Sequence, residues 1–132
     1  MYDFPTDVRY SADHLWVRPA SGAPVMRVGL TDFAQQSLGD VVIVNAPREG
    51  DTITAGSACG EVESTKSDNE LIAPLTGTVR RHNASLDENP EAVNADPYGD
   101  GWLFEVEVEP STLADQLGSL LDADHYQRLV TN

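Results

Sequence analysis

Lysine is almost absent from this chain. Lys66 is the only lysine among the 132 residues, and apart from three histidines every other basic side chain is an arginine. An amine that occurs once, in a polar segment between two strand-like stretches, is a candidate for covalent modification. A lone lysine in an arginine-rich chain can equally be a solvated residue, because the surface is where lysine usually lies. Composition alone favours this second interpretation.

Cysteine and long apolar runs are equally scarce. The single cysteine, Cys59, cannot form an internal disulfide, and it lies in the small-residue run 55–60. This setting favours a buried structural thiol, although a reactive thiol stays open. Residues 1–5 contain neither a basic region nor an apolar run, and no stretch is long enough to span a membrane. We therefore expect a cytoplasmic protein.

Positive charge is also in short supply. The formal net charge is -14, so a phosphate backbone or an anionic membrane would be repelled by most faces of the molecule. Binding to nucleic acid or membrane is therefore disfavoured, and a soluble monomer is expected. The same acidity can direct the protein toward basic docking sites on partner proteins, at a rate that depends on salt.

Patterns typical of catalytic sites are missing as well. His14, His82 and His125 lack the spacing of paired metal ligands, which predicts no metal site. No nucleophile elbow and no glycine-rich phosphate loop occur in the chain. Glu61 and Glu63 lie on one face of a predicted strand, where solvated surface is a better explanation than paired-carboxylate catalysis. The sequence therefore predicts a protein that is not an enzyme.

Short strands separated by turn residues dominate what is present. Residues 16–18 and 26–29 flank a loop at 19–24 that is dense in glycine and proline, which predicts a hairpin. The β-branched run 41–44 predicts a buried strand. Two strand-like stretches flank a polar tip and place Lys66 near the end of a second hairpin. The length and these strands predict a compact core of two sheets.

Helices are predicted at only a few places. Thr31 is expected to cap a short helix over 32–38, with Gly39 ending it. Ser111 is expected to cap the first helix of a C-terminal helical segment. Four leucines of that segment fall on one face and are predicted to pack on the core: Leu113, Leu117, Leu120 and Leu121.

Five ordered segments are more specific than any of these patterns. They are His14-Leu15-Trp16-Val17, residues 28–40 with Gly-Leu-Thr-Asp-Phe-Ala-Gln and Leu-Gly-Asp, residues 60–66 with Gly-Glu-Val-Glu-Ser-Thr-Lys, residues 74–77 with Pro-Leu-Thr-Gly, and residues 94–102 with Asn-Ala-Asp-Pro-Tyr and Gly-Trp. In this order the segments resemble the H-protein family of the glycine cleavage system, a family of small lipoyl carriers. The third segment resembles the family's lipoylation signature, and this reverses the interpretation suggested by composition.

The resemblance implies a fold and a cofactor. The implied fold is mainly β, a lipoyl/biotinyl-type β-sandwich (barrel-sandwich hybrid) with short helices and a helical segment at 111–130, forming one carrier domain over 1–132. The implied cofactor is lipoic acid, joined to Lys66 through an amide bond by a lipoyl ligase or transferase. The residues implied to help that enzyme recognise the site are Glu63, Ser64, Thr65 and Ser67.

The resemblance also implies a reaction cycle and a docking cleft. A carrier of this family takes an aminomethyl group from glycine decarboxylase, presents it to a tetrahydrofolate-dependent aminomethyltransferase, and is reoxidised by dihydrolipoyl dehydrogenase. Leu15, Phe33 and Glu70 are implied to lie in the cleft that receives the arm. The family usually has a glutamate where Leu15 stands, and an apolar residue there removes an acceptor for the aminomethyl amine. Glu70 stands in for the family's aspartate.

Two alternatives stay open at this stage. A diverged H-like protein would keep the lipoyl group but relay it, or another cargo, in a different pathway, and Leu15 is the feature that favours it. An unmodified interaction module would keep the fold without the cofactor. A biotin carrier is disfavoured, because Thr65 and Ser67 flank the lysine in place of methionines.

Overall fold

Two antiparallel sheets and a few short helices form the protein in the computed structural model, which describes residues 1–20, 22 and 24–131. The strands are β1 (Arg9–Tyr10), β2 (Leu15–Pro19), β3 (Val25–Leu30), β4 (Val41–Asn45), β5 (Thr52–Ile53), β6 (Ala58–Ser64), β7 (Asp68–Ile72), β8 (Gly77–His82) and β9 (Phe104–Glu107). The helices are α1 (Asp32–Leu38), α2 (Ala92–Ala95), α3 (Pro110–Gly118) and α4 (Ala123–Thr131), with a 3-10 turn at Ala84–Asp87. The prediction of two sheets is confirmed.

The sheets differ in size. One has the order β1-β2-β3-β9-β8-β5, and the other has the order β4-β6-β7. The first predicted hairpin is confirmed, because β2 pairs with β3 in antiparallel register. Its predicted loop is described only in part, since Ser21 and Ala23 lie outside the described residues. The second predicted hairpin is formed by β6 and β7.

The first helix begins and ends as predicted. The Thr31 hydroxyl accepts a hydrogen bond from the Ala34 N–H at 3.1 Å, which satisfies one of the free donors of the first turn. Gly39 follows the last residue with φ of 78° and ψ of -157°, a combination that is essentially restricted to glycine. The helix therefore stops at a fixed point beside the smaller sheet.

Strand β4 is not the fully buried strand that its composition predicts. Val41 and Val44 are buried, but Val42 and Ile43 are exposed. The reason is that the smaller sheet buries only one face, and that β4 has a bulge between Val41 and Ile43. A run of β-branched residues cannot by itself distinguish a strand buried on both faces from one buried on a single face.

The core lies between the two sheets, and the C-terminal helices cover its margin. Val62, Leu71, Val79 and Val106 are among its most buried members. The predicted helical segment 111–130 is present, but it is interrupted at 119–122 and divided into α3 and α4.

The predicted cap of the first C-terminal helix is wrong. The helix begins at Pro110 and its N-cap is Glu109, without a side-chain cap, because proline at the first position already supplies the helical φ. The predicted packing of the four leucines is confirmed, although each is only partly buried. Among the described residues, no helix is both long enough and apolar enough to cross a bilayer.

Candidate functional site

Lys66 lies in a tight turn that joins β6 to β7. The Ser64 N–H donates to the Ser67 carbonyl at 2.9 Å, and the Ser64 hydroxyl donates to the same carbonyl at 3.1 Å. The Ser64 oxygen also accepts the N–H groups of Lys66 at 3.2 Å and Ser67 at 3.1 Å. The Asn69 side chain then donates to the Ser67 hydroxyl at 2.8 Å. The turn is thus held by side chains on both sides of an exposed lysine.

The end of α1 supports the Lys66 turn. The Thr65 N–H donates to the Asp40 carbonyl at 3.0 Å. The Lys66 side chain lies over Gly39, since a Cβ placed on that glycine would be 3.1 Å from the lysine Cε and 3.7 Å from Nζ. Asn94 fixes this segment from below by donating to the Gly39 carbonyl at 2.8 Å and accepting the Val41 N–H at 2.9 Å. A residue of the fifth motif therefore positions the surface on which the lysine lies.

A cavity of about 270 Å³ opens beside the end of α1. Leu15 from β2, Phe33 from α1 and Glu70 from β7 all line it, so the three residues predicted for one cleft meet in one place. Its other apolar lining residues are Leu30, Ala34, Leu38, Val62, Leu71 and Ile72. Leu38, the last residue of α1, lines the cavity and directly precedes Gly39, over which the Lys66 side chain lies. Leu15 is 1% exposed, so it belongs to the buried part of this lining.

His14 lines the same cavity and has an unusual backbone. Its φ of 74° is the only positive value among the non-glycine residues that the structure describes, and such conformations concentrate at functional sites. Its Nδ1 lies 2.9 Å from the Tyr126 hydroxyl, which in turn lies 2.8 Å from the Thr31 hydroxyl. Burial lowers the pKa of His14, although Asp13 acts in the opposite direction. The imidazole is therefore neutral near pH 7.

The hydrogen-bond chain decides which ring nitrogen of His14 holds the proton. Thr31 is fully buried and its oxygen already accepts the Ala34 N–H, so within the described residues its own hydrogen can be donated only to Tyr126. Tyr126 then donates to Nδ1 of His14, which leaves the proton on Nε2. His14 thus presents a hydrogen-bond donor, not an acceptor, through its second nitrogen.

Carboxylates lie at the mouth of the cavity and on the neighbouring sheet face. Asp13 and Glu70 are exposed lining residues. On the hairpin, carboxylate oxygens of Glu61, Glu63 and Asp68 lie within 4.8 Å of one another. Like charges this close repel each other, so the face on which they lie favours the approach of positively charged groups.

Two features lie away from this site. A larger cavity of about 570 Å³ lies between β8, β9 and α3, and its arginine, Arg80, already forms an ion pair with Glu107 at 2.6 Å. It shares no lining residue with the cavity beside the end of α1. Cys59 is half-buried, and burial raises its pKa to about 11, which disfavours the reactive thiolate. The predicted structural thiol fits this environment better than a reactive one.

Comparison with known proteins decides the family. A profile of the family described as glycine cleavage H-protein matches residues 8–132. The chain belongs to this family. It is 50% identical over 132 residues to the glycine cleavage system H protein of Mycobacterium avium (strain 104), with 99% of each chain covered. It is 48% identical over 134 residues to that of Mycobacterium tuberculosis (strain ATCC 25618 / H37Rv), again with 99% of each covered.

A solved member of the family has the same fold. The crystal structure of the glycine cleavage system H protein from Mycobacterium marinum aligns with a TM-score of 0.82 at 41% identity, covering 94% of this chain and 96% of that chain. This likeness and the two sheets confirm the predicted lipoyl-type β-sandwich with short helices. The family match and this structural likeness also confirm the resemblance that the five motifs indicated.

Sequence reasoning overlooked two titratable residues of the cavity lining. His14 stands beside Leu15 in the first motif and Asp13 directly precedes that motif, yet of these three residues only Leu15 was predicted to lie in the cleft. The signal that could have found them is adjacency, because a turn entering β2 exposes successive residues to the same opening. Nothing in the sequence indicates the left-handed backbone of His14, since such a φ is uncommon outside glycine.

Proposed function

We propose that this protein is a lipoyl carrier of the glycine cleavage system, with the lipoyl group on Lys66. It would take an aminomethyl group from glycine decarboxylase, deliver it to the tetrahydrofolate-dependent aminomethyltransferase, and be reoxidised by dihydrolipoyl dehydrogenase. The observation that supports this best is the position of the single lysine, in a hydrogen-bonded turn that lies over Gly39, next in the chain to Leu38 of the apolar cavity. In this proposal residues 1–132 act as one non-catalytic carrier domain and as a monomer in the cytoplasm.

The turn suits attachment of the group by a lipoyl ligase or transferase. Its backbone is fixed by the Ser64 hydroxyl, so the exposed Lys66 amine is offered from a defined position rather than from a floppy loop. Glu63, Thr65 and Ser67 would contribute to recognition by the same enzyme. Ser64 and Ser67 have a second role in this proposal, because their hydrogen bonds hold the turn together.

The cavity fits the arm that the family bears. When bound, the lipoyl group supplies a dithiolane whose sulfur atoms accept and release the one-carbon cargo. The cavity volume of about 270 Å³ lies just below the roughly 300–1,000 Å³ of sites for drug-sized ligands, as suits a narrow apolar chain. Leu15, Phe33 and Leu38 would contact that chain, and burial there would exclude water from the cargo.

The polar groups at the mouth would orient the amine of the cargo. Leu15 offers no acceptor, and His14 offers a donor, so neither can accept a hydrogen bond from an ammonium group. Asp13 and Glu70 are the carboxylates that line the opening. Because both are exposed, each ion pair they form would be worth roughly 0–1 kcal/mol, less than one with a desolvated carboxylate. This chain would therefore hold its cargo less firmly than a relative with a buried glutamate.

That weaker hold favours one alternative function. A diverged carrier that relays lipoyl groups or another cargo in a different pathway would have no need for a buried acceptor at Leu15. One assay distinguishes the two functions, because only a glycine-cleavage carrier supports the exchange of carbon dioxide with the carboxyl group of glycine by the decarboxylase. An unmodified interaction module is separated from both by the mass of the protein.

Intact mass and exchange activity test the proposal. The chain purified from its native host is expected to show one lipoyl adduct on Lys66, and Lys66→Arg is expected to show none while keeping the same circular dichroism spectrum. The loaded protein should support glycine–carbon dioxide exchange by the decarboxylase. An unmodified mass in the native host would contradict the proposal, and a loaded protein without exchange activity would support the diverged carrier.

A further inference from the structure

Two large apolar side chains are exposed beside the Lys66 turn. Val42 is 48% exposed and Ile43 is 45% exposed, although both belong to β4. The pairing skips from Val41 opposite Ser64 to Ile43 opposite Glu63, so Val42 is the extra residue of a bulge. Bulges next to functional sites often direct side chains to a particular side. Here the bulge leaves apolar surface in solvent, on the strand adjacent to the one that leads into the turn.

Acidic side chains lie directly beside this apolar surface. Ile43 is opposite Glu63 on β6, and Glu63 is opposite Asp68 on β7, so the three share one face of the sheet. Glu61 and Glu70 form the next pair on the same face. We call these five residues together with Val42 the acidic–apolar face. It is complementary to an apolar pocket surrounded by arginine or lysine side chains.

We propose that the acidic–apolar face is the docking surface for the enzyme that attaches the lipoyl group, and that this enzyme contacts it with an apolar pocket bordered by basic residues. The inference rests on the proposed lipoylation of Lys66. A second copy of this chain is a poorer occupant, because its own net charge of -14 would bring like charges together.

The chemistry of attachment explains why this partner in particular must contact the face. An amide bond forms between Nζ of Lys66 and the carboxyl carbon of an activated lipoyl donor, either an acyl adenylate or an acyl thioester. The adenylate or thiol leaves, and Nζ gives up a proton. The reacting carbon must come within bonding distance of Nζ, so surface adjoining the turn has to enter the interface. Enzymes that act on the finished arm meet its sulfur atoms, which are separated from Nζ of Lys66 by the length of the lipoyl chain.

Lipoylation kinetics of the full apo-protein test the docking surface. Val42→Thr and Ile43→Thr keep a β-branched side chain and therefore the strand, but remove apolar contact area. With a purified lipoyl ligase, ATP and lipoate, each substitution is expected to lower kcat/KM by about fivefold to tenfold, the size of effect that truncating an interface anchor produces. The matched control is Leu129→Thr on α4, which replaces an apolar side chain of similar exposure, 51%, outside the acidic–apolar face and should leave kcat/KM unchanged.

A second measurement assigns the surface to the attaching enzyme. Ile43→Thr is driven to complete lipoylation with excess ligase and then assayed with glycine decarboxylase, where it should match the wild type. Equal kcat/KM for Ile43→Thr and Leu129→Thr would overturn the proposal. So would a decarboxylase defect in the loaded Ile43→Thr protein, or a wild-type dimer that this substitution dissociates. If the wild type accepts no lipoyl group from any attaching enzyme, the proposed function fails, and the docking surface fails with it.

Discussion

Replacing Leu15 by glutamate would test how firmly the cavity holds its cargo. Leu15 is 1% exposed and lines the buried part of the cavity, so a carboxylate there would be largely desolvated. A hydrogen bond involving a charged group is worth about 1.5–3 kcal/mol in such a setting, against roughly 0–1 kcal/mol for an ion pair at the exposed mouth. The midpoints of these two ranges differ by about 1.75 kcal/mol, which corresponds to about twentyfold slower loss of the aminomethyl group from the loaded protein.

The same substitution has a cost in stability that the assay must separate from its effect on release. Losing a buried leucine costs about 1.5–3 kcal/mol, and an unpaired buried polar group adds about 1–3 kcal/mol in the unloaded protein. Leu15→Gln loses the same packing with a neutral acceptor, and Leu15→Met keeps the packing without any acceptor. Urea unfolding of each variant identifies the conditions in which all of them are folded.

The release rate is measured on the isolated loaded protein as formaldehyde and ammonia appear. The expected order is wild type and Leu15→Met fastest, Leu15→Gln slower, and Leu15→Glu slowest. If folded, loaded Leu15→Glu releases its cargo at the wild-type rate, the missing carboxylate does not distinguish this protein from its relatives.

Two further outcomes follow from the surroundings of the site. Gly39→Ala should lower the free energy of unfolding by about 1–3 kcal/mol, because the backbone conformation of Gly39 is essentially restricted to glycine, and it should also disturb docking of the loaded arm. The control is Gly50→Ala, with φ of 92° and open space around it, which should affect unfolding alone. Equal rates of aminomethyl loss from the two loaded variants would contradict the contact between Gly39 and Lys66. Since the pKa of His14 is lowered by folding, the unfolded chain binds its proton first, and stability should fall as the pH drops below about 6.5. His14→Asn should show a shallower decline between pH 7 and 5 in urea titrations, and an unchanged slope would refute the buried neutral imidazole.

Local sequence signals were sufficient for several parts of the fold. Thr31 and Gly39 marked the ends of α1, because a cap and a glycine-only conformation depend on neighbouring residues alone. The polar tip between two strand-like stretches placed Lys66 in a turn for the same reason. The prediction failed at Ser111, where a proline one residue earlier began the helix. It also failed on the burial of β4, since burial depends on which sheet faces are covered.

The sequence by itself determined that a single lysine stands in a hairpin turn of a lipoyl-carrier-like β-protein. Its scarcity, its polar flanks and the ordered motifs are all properties of the linear chain. Only the tertiary structure decided that Leu15, Phe33 and Glu70 meet in one cavity, because they come from β2, α1 and β7. Long-range packing likewise set the tautomer of His14 through α4 and exposed the apolar side chains of β4 through a bulge. Such contacts join residues far apart in the chain, and no local period or motif specifies them.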